Sequence, residues 1–147
     1  VERKIIDLKF KKLSEKAQTP TYGTDGAACM DVYAIEDYTL SPRIVTLVRT
    51  GLAFEVPEGY EMQIRPRSGL AVKHQLIVLN SPGTLDSDYR GELMVGMKNI
   101  SNKHYVILEG DRIAQIVLKE VPLVVLHEVD ELSDTDRAEG GFGHTGK

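Results

Sequence analysis

Asn80-Ser81-Pro82-Gly83-Thr84-Leu85-Asp86-Ser87-Asp88-Tyr89-Arg90-Gly91 lies between the apolar run Leu76-Ile77-Val78-Leu79 and the alternating run Leu93, Val95, Met97. Two β-prone runs joined by turn residues at Pro82-Gly83 predict a β-hairpin with this stretch as its tip. The tip also carries chemistry. Asp86 and Asp88 are carboxylates one residue apart, Asn80 brings an amide that both donates and accepts, and Tyr89 brings a flat ring. Asp, Asn, Ser, Pro and Gly are equally what an ordinary surface turn contains, so composition alone does not separate a site from a turn. A calcium loop fails on chemistry: Asp86, Asp88 and Gly91 fall at positions 1, 3 and 6 of its pattern, but Arg90 stands where an oxygen ligand is needed and Met97 where the bidentate Glu belongs.

Upstream of the hairpin the pattern is of short strands. Ile6, Leu8 and Phe10 alternate with Asp7 and Lys9, predicting a half-buried strand, and the polar stretch Lys16 to Gly26 reads as a loop. Ala28 to Ala34 is β-prone but contains Asp31, which is costly to bury alone; it is either a turn residue at a strand start or a paired functional charge. From Arg43 to Val56 the apolar parity changes from Val45 and Leu47 to Leu52, Phe54 and Val56, so a bulge or bend is expected near Gly51. Tyr60, Met62 and Ile64 form another alternating strand after the turn Pro57-Glu58-Gly59. Arg65-Pro66-Arg67-Ser68-Gly69 then leads into Leu70-Ala71-Val72-Lys73, the expected start of the only helix, with Ser68 as its N-cap. A helix start beside an arginine offers N–H groups and a guanidinium to an anion, although a capped surface helix with solvated arginines has the same composition.

Downstream, Glu92 to Ile100, Tyr105 to Leu108 and the segment after Gly110-Asp111 read as strands, the last with Gln115 in its apolar middle. Val121-Pro122-Leu123-Val124-Val125-Leu126 is apolar on both faces and predicts a strand covered on both sides, by its own domain or a neighbouring subunit, with the proline favouring an edge. Beyond Leu132 the apolar pattern stops, and Phe142 is the single large hydrophobe among the glycines 140, 141, 143 and 146. A structureless terminus is the ordinary reading of such a tail. Residues 141–147 match the first part of a Walker A loop, but the Ser/Thr and helix that must follow the lysine are missing. The expected organisation is therefore one β domain over residues 1–132 and a flexible glycine-rich arm over 133–147. Many short strands, frequent turns and one short helix predict an all-β domain, a jelly-roll-like barrel or sandwich.

Composition narrows the function classes. With 147 residues, 41% hydrophobic and 27% charged, the chain fits one soluble domain with a single core. A formal charge of −4 argues against a general nucleic-acid binder, and an anionic ligand would need clustered arginines or a divalent cation. The charged N-terminus does not fit a secretory signal, and no apolar run approaches a membrane span, so neither export nor a membrane partner is expected. A single cysteine, Cys29, fits a reducing compartment, and the scattered histidines do not predict zinc.

Five segments resemble, in order and at comparable spacing, the five motifs of the trimeric dUTP pyrophosphatases (dUTPases), and together they span nearly the whole chain. The segment around Asp31 is similar to the first motif, Arg67-Ser68-Gly69 to the second, Asn80 to Gly91 to the third, the strand holding Gln115 to the fourth, and Arg137 to Gly146 to the fifth. The resemblance implies a β-clip jelly roll assembled as a homotrimer, with three active sites at subunit interfaces; the cytoplasmic setting is expected from the single cysteine and the charged N-terminus instead. It implies hydrolysis of dUTP to dUMP and pyrophosphate with Mg2+ as cofactor, keeping uracil out of DNA and supplying dUMP for thymidylate. Asp86 would be the general base and Asp31 would reach magnesium through water. Gln115 would order the α-phosphate and the attacking water, and Arg67, Ser68 and Gly69 would hold phosphates. Asn80 with the backbone of Gly83, Thr84, Leu85 and Asp86 would pair with the uracil edge, Met94 would line the pocket, and Tyr89 would lie under the deoxyribose. Arg137, Phe142, Gly143 and Thr145 would close over the nucleotide from the arm; His144 departs from the serine usual there, at one of the expected γ-phosphate contacts. Two alternatives stand beside this: a dCTP deaminase of related fold, for which Glu92 is the only candidate catalytic Glu after the hairpin, and a catalytically silent nucleotide-binding module.

Overall fold

Alternating side chains pack into three antiparallel sheets around one core in the computed structural model, which describes residues 2–146. The strands are β1 (Lys9–Lys12), β2 (Thr21–Tyr22), β3 (Met30–Tyr33), β4 (Tyr38–Leu40), β5 (Val45–Glu55), β6 (Tyr60–Arg65), β7 (Leu76–Val78), β8 (Gly83–Leu85), β9 (Glu92–Asn99), β10 (Tyr105–Ile107) and β11 (Arg112–Glu120); α1 (Ser68–His74) is the one helix among the described residues. One sheet has the order β1-β5-β9-β7, a second the order β2-β3-β11-β6-β8, and β4 pairs with β10 in a third. Val48 and Leu93 from the first, Val32, Met62 and Ile116 from the second, and Leu40 and Ile107 from the third are all buried in one cluster. The all-β expectation with a single short helix holds. The sheets stay distinct, so among the described residues the jelly-roll-like form is a sandwich with no closed ring of hydrogen bonds.

Three local expectations need correction. The first strand begins at Lys9, later than the Ile6 alternation predicts, and every residue of it is exposed because it forms the edge of its sheet. Thr21–Tyr22 pairs with β3 inside the stretch read as a loop. The bulge near Gly51 is present, but it does not exchange the faces. Between the pairs Arg49↔Met94 and Ala53↔Glu92 the chain takes four steps along β5 and two along β9, so two extra residues are inserted and parity is kept. Even-numbered Val48, Leu52 and Phe54 face the core throughout, while Val45 and Leu47 are exposed. Gly51 is required at the bulge: its φ is +68°, and a Cβ there would lie 3.1 Å from the Ala17 Cβ and 3.2 Å from the Ser14 Cβ.

Two further departures bear on function. Helix α1 starts one residue earlier than expected. Ser68 is its first helical residue, and Arg67 is the N-cap, extended at φ −85° and ψ 131° with its carbonyl accepting Ala71 N–H at 3.1 Å; no side chain caps the helix. The hydroxyl of Ser68 is thereby free of a capping role. Residues 121–126 form no strand. β11 is flanked by β3 and β6, and once Val121 N–H has bonded Gly59 O at 2.8 Å the chain leaves the sheet, with Leu123 at 94% exposure and Leu126 at 90%.

Candidate active site

The third-motif stretch is not a tight hairpin tip. β7 and β9 do pair, with Leu76↔Asn99, Ile77↔Lys98 and Val78↔Met97, but the chain between them crosses to the other side of the sandwich, where β8 adds to the edge of β6. This excursion walls a cavity of about 300 Å³ lined by Asn80, Gly83, Thr84, Leu85, Asp86, Tyr89 and Met94, over a floor that includes Ile64, Val78 and Val95. The sequence identified the polar rim. It did not reveal the apolar floor, because residues on β6, β7 and β9 are indistinguishable from core positions until β8 is known to cross.

Two glycines shape this cavity. At Gly83 a Cβ would stand 3.2 Å from the Ile64 Cβ and 3.4 Å from Asn80 Nδ2, so glycine lets β8 close on β6 and leaves the Asn80 amide its place. At Gly91 a Cβ would stand 2.6 Å from Tyr89 Cζ, so the absent side chain is the space that the tyrosine ring occupies. The Tyr89 hydroxyl donates to Glu92 O at 2.9 Å, which folds the ring back along its own loop. Asp86 is exposed at the rim of the cavity, free to meet water.

A second constellation lies across the same sheet. Asp31, 6% exposed, is a paired charge and not a turn residue. Its Oδ1 is 3.5 Å from Arg67 Nε and receives Gln115 Nε2 at 3.5 Å, and its Oδ2 is 3.9 Å from Arg112 Nη1. Register produces the cluster: Asp31 on β3 pairs with Gln115 on β11, which pairs with Arg65 on β6, two residues before Arg67. Ser68 and Gly69 follow, both exposed. Arg112 is a member that sequence reasoning missed; its position three residues before Gln115 on the same strand gave no sign that it would reach Asp31. Cys29 is half-buried beside this cluster, with its Sγ 4.0 Å from Arg65 Nη1.

These two constellations do not meet within the chain. From β3 to β8 is three strand spacings, about 14 Å, and Leu85 lies opposite Met62, three residues or about 10 Å along from the Arg65 row. The arm meets neither: among the described residues, the hydrogen bonds of 133–146 run within the segment, such as Arg137 Nε to Gly140 O at 2.8 Å, and Phe142 is fully exposed. Gly143 and Thr145 belong to this separate segment, and the His144 ring packs over Gly140, whose Cβ would fall 2.7 Å from its Cγ.

A family model described as dUTPase matches residues 15–146. The chain belongs to the dUTPase family. It is 54% identical to the deoxyuridine 5'-triphosphate nucleotidohydrolase of Nautilia profundicola, over 97% of this chain and 100% of that one, and 45% identical to that of Helicobacter pylori (strain P12), over 96% and 97%. Among solved structures it is similar to the Staphylococcus bacteriophage 80alpha dUTPase G164S mutant with dUpNHpp, at a TM-score of 0.85 and 26% identity over 96% of this chain and 99% of that one. As a dUTPase the chain is an enzyme, a dUTP diphosphatase. No helix among its described residues is long and apolar enough to cross a membrane.

Proposed function

We propose that this dUTPase hydrolyses dUTP by magnesium-assisted, in-line attack of water on the α-phosphorus, in a homotrimer whose active sites each draw on more than one chain. The observation that carries this is the split site: a 300 Å³ cavity with a carboxylate at its rim, and a phosphate-competent arginine cluster across the sheet that it cannot reach. A catalytic group must come within about 3 Å of its proton, directly or through one water, so a neighbouring copy has to bring the second constellation to the first. The exposed apolar run Val121 to Leu126, with Val129 and Leu132 beyond it, gives such a neighbour its contact area.

Uracil enters the cavity against the β8 backbone and Asn80, whose amide keeps its place because Gly83 carries no side chain. Tyr89 lies under the deoxyribose. Asp86 takes a proton from water as its oxygen bonds to the α-phosphorus, the bond to the β-phosphate oxygen breaks, and pyrophosphate leaves from dUMP. Gln115 orients that water and the α-phosphate, and Arg67 with Ser68 and Gly69 donates to the phosphate chain. Arg137, Phe142, Gly143 and Thr145 close over the bound nucleotide and exclude water.

The residues fit magnesium as an outer contact. Among the described residues no three His, Cys, Asp or Glu side chains converge as a cage, and both Asp31 oxygens face guanidinium groups. Asp31, one carboxylate beside a phosphate-binding arginine, would hold such an ion through water. When bound, the ion offsets charge developing on the leaving pyrophosphate. The product dUMP then serves thymidylate synthesis while uracil is kept from DNA, in a reducing cytoplasmic setting that goes with one unpaired cysteine.

A deaminase would need a free carboxylate after the hairpin. That of Glu92 is occupied, accepting from Arg49 Nη2 at 3.0 Å and from Gly51 N–H at 3.3 Å, which favours hydrolysis. The test is to offer dUTP, dCTP, dTTP and UTP with Mg2+ and to assay pyrophosphate and ammonia separately. Pyrophosphate from dUTP alone is expected; ammonia from dCTP overturns the reading. Light scattering is expected to give a trimer, and an active monomer overturns the shared site.

A further inference from the structure

The β5 bulge and the end of the third-motif loop are joined by an ion pair that the proposed mechanism does not use. Arg49 donates through Nε to Glu92 Oε2 at 3.1 Å and through Nη2 to Oε1 at 3.0 Å, a two-pronged grip. Gly51 N–H adds a third contact to Oε2 at 3.3 Å, available because the two-residue insertion turns that N–H toward β9. The Glu92 side chain is 14% exposed and that of Arg49 44%, so the carboxylate end of the pair is sheltered while the guanidinium stays hydrated. Arg49 is itself steadied: its own N–H donates to the Tyr38 hydroxyl at 3.0 Å, and that hydroxyl donates to Glu36, which lies 3.7 Å from Arg49 Nη1. The hydrogen bonds to Glu92, with its charge, raise the affinity of the guanidinium for its proton above the ordinary value.

The other end of Glu92 faces the substrate cavity. Its carbonyl accepts the Tyr89 hydroxyl at 2.9 Å, and because Gly91 between them has no side chain, the hydroxyl end of the ring packs against that backbone. The side chain of Glu92 thus fixes a residue whose main chain fixes the ring. We infer that the Arg49–Glu92 clamp is a specificity device, a positioning pair that holds Tyr89 where a 2′-hydroxyl is rejected. The inference rests on the reaction and the sugar platform proposed above. An unclamped Glu92 lets its carbonyl and the tyrosine shift together, and a ring free to retreat admits the ribose. Neither Arg49 nor Glu92 needs to touch the reacting atoms.

The test is the ratio of kcat/KM for dUTP to that for UTP. Glu92→Gln keeps the shape and the carbonyl but gives up the ionic grip; Arg49→Met gives up the grip from the other side. Each is expected to lower the ratio about three- to tenfold, the range of one neutral hydrogen bond. Tyr89→Phe, which deletes only the hydroxyl, is expected to do the same, and adding Glu92→Gln to it lowers the ratio no further, because both act through one contact. Arg49→Lys is expected to restore part of what Arg49→Met loses. A merely structural pair would lower Tm and scale both substrates alike. Ratios unchanged in folded Arg49→Met and Glu92→Gln, or fully additive losses in the double variant, overturn the inference; should Glu92→Gln not fold, Arg49→Met beside Tyr89→Phe decides. An inactive parent overturns the reaction and this inference together, whereas an active, discriminating parent whose variants keep its ratio overturns the inference alone.

Discussion

Replacing Asp31 by Asn separates what its charge does for the fold from what it does for the nucleotide. The amide keeps the volume of the carboxylate but removes the charge facing Arg67 at 3.5 Å and Arg112 at 3.9 Å. Orphaning one partner of a fully buried pair costs about 3–5 kcal/mol. Here the arginine side chains are 27% and 51% exposed and stay hydrated, and neither contact is at optimal hydrogen-bonding distance, which reduces the loss to about 1–2 kcal/mol. At roughly 2–4 °C per kcal/mol for a domain of this size, the nucleotide-free protein should melt about 2–8 °C lower. The catalytic effect should be larger. A hydrogen bond to a charged group is worth about 1.5–3 kcal/mol, so the Mg2+ concentration for half-maximal turnover should rise roughly 10- to 150-fold. Calorimetry without nucleotide and a magnesium titration of pyrophosphate release measure the two effects. A variant with the parent's magnesium requirement would refute the outer-contact role, and a Tm unchanged within 1 °C would refute the paired-charge account.

Asp86→Asn should leave the fold and nucleotide binding intact and lower kcat about 10²–10⁴-fold, since the amide cannot take the proton; stopped-time pyrophosphate release checks it, and a rate within about threefold of the parent assigns the base elsewhere. Gly51→Ala should destabilise by about 2–4 kcal/mol, from left-handed strain and crowding against Ala17 and Ser14, seen as a Tm roughly 5–15 °C lower. Removing residues 133–147 should barely move Tm, because the hydrogen bonds of the described arm are internal and Phe142 is fully exposed, yet kcat should fall steeply. A truncated protein with the parent's kcat would make the arm an ordinary terminus.

The sequence disclosed those parts of the site that are local in the chain. Asn80 to Asp86 and Tyr89 share one short excursion, so their closeness in the chain keeps them together even though the excursion crosses to β6. Asp31, Gln115 and Arg67 come together through the order β3-β11-β6, which no periodicity encodes, and their common role was legible only as a resemblance. Arg112 had no signal at all, since an arginine at a strand start is usually solvated. The parity of β5 misled because Val45 and Leu47 are apolar on the outward face; alternation reports burial against any partner, and this chain alone does not supply one. Residues 121–126 form no strand in this chain although their β propensity is real: after Val121 the chain leaves the sheet, and the neighbouring subunit that the sequence allows as cover lies outside a single chain.

The separation of Asp31 from Leu85, about 14 Å across the sheet and about 10 Å along it, has a genetic consequence. Two alleles, each dead for a different reason, need not be dead together. Subunits lacking the Asp86 carboxylate and subunits lacking the Arg67 guanidinium, mixed while they assemble, would form sites in which one chain supplies the intact base and its neighbour the intact guanidinium. For equal, random mixing, each of the two requirements is met half the time, so roughly one site in four would recover. A chain that built its whole site alone would recover none, and the revived activity of two silent parents would report, without any structure, how the labour is divided.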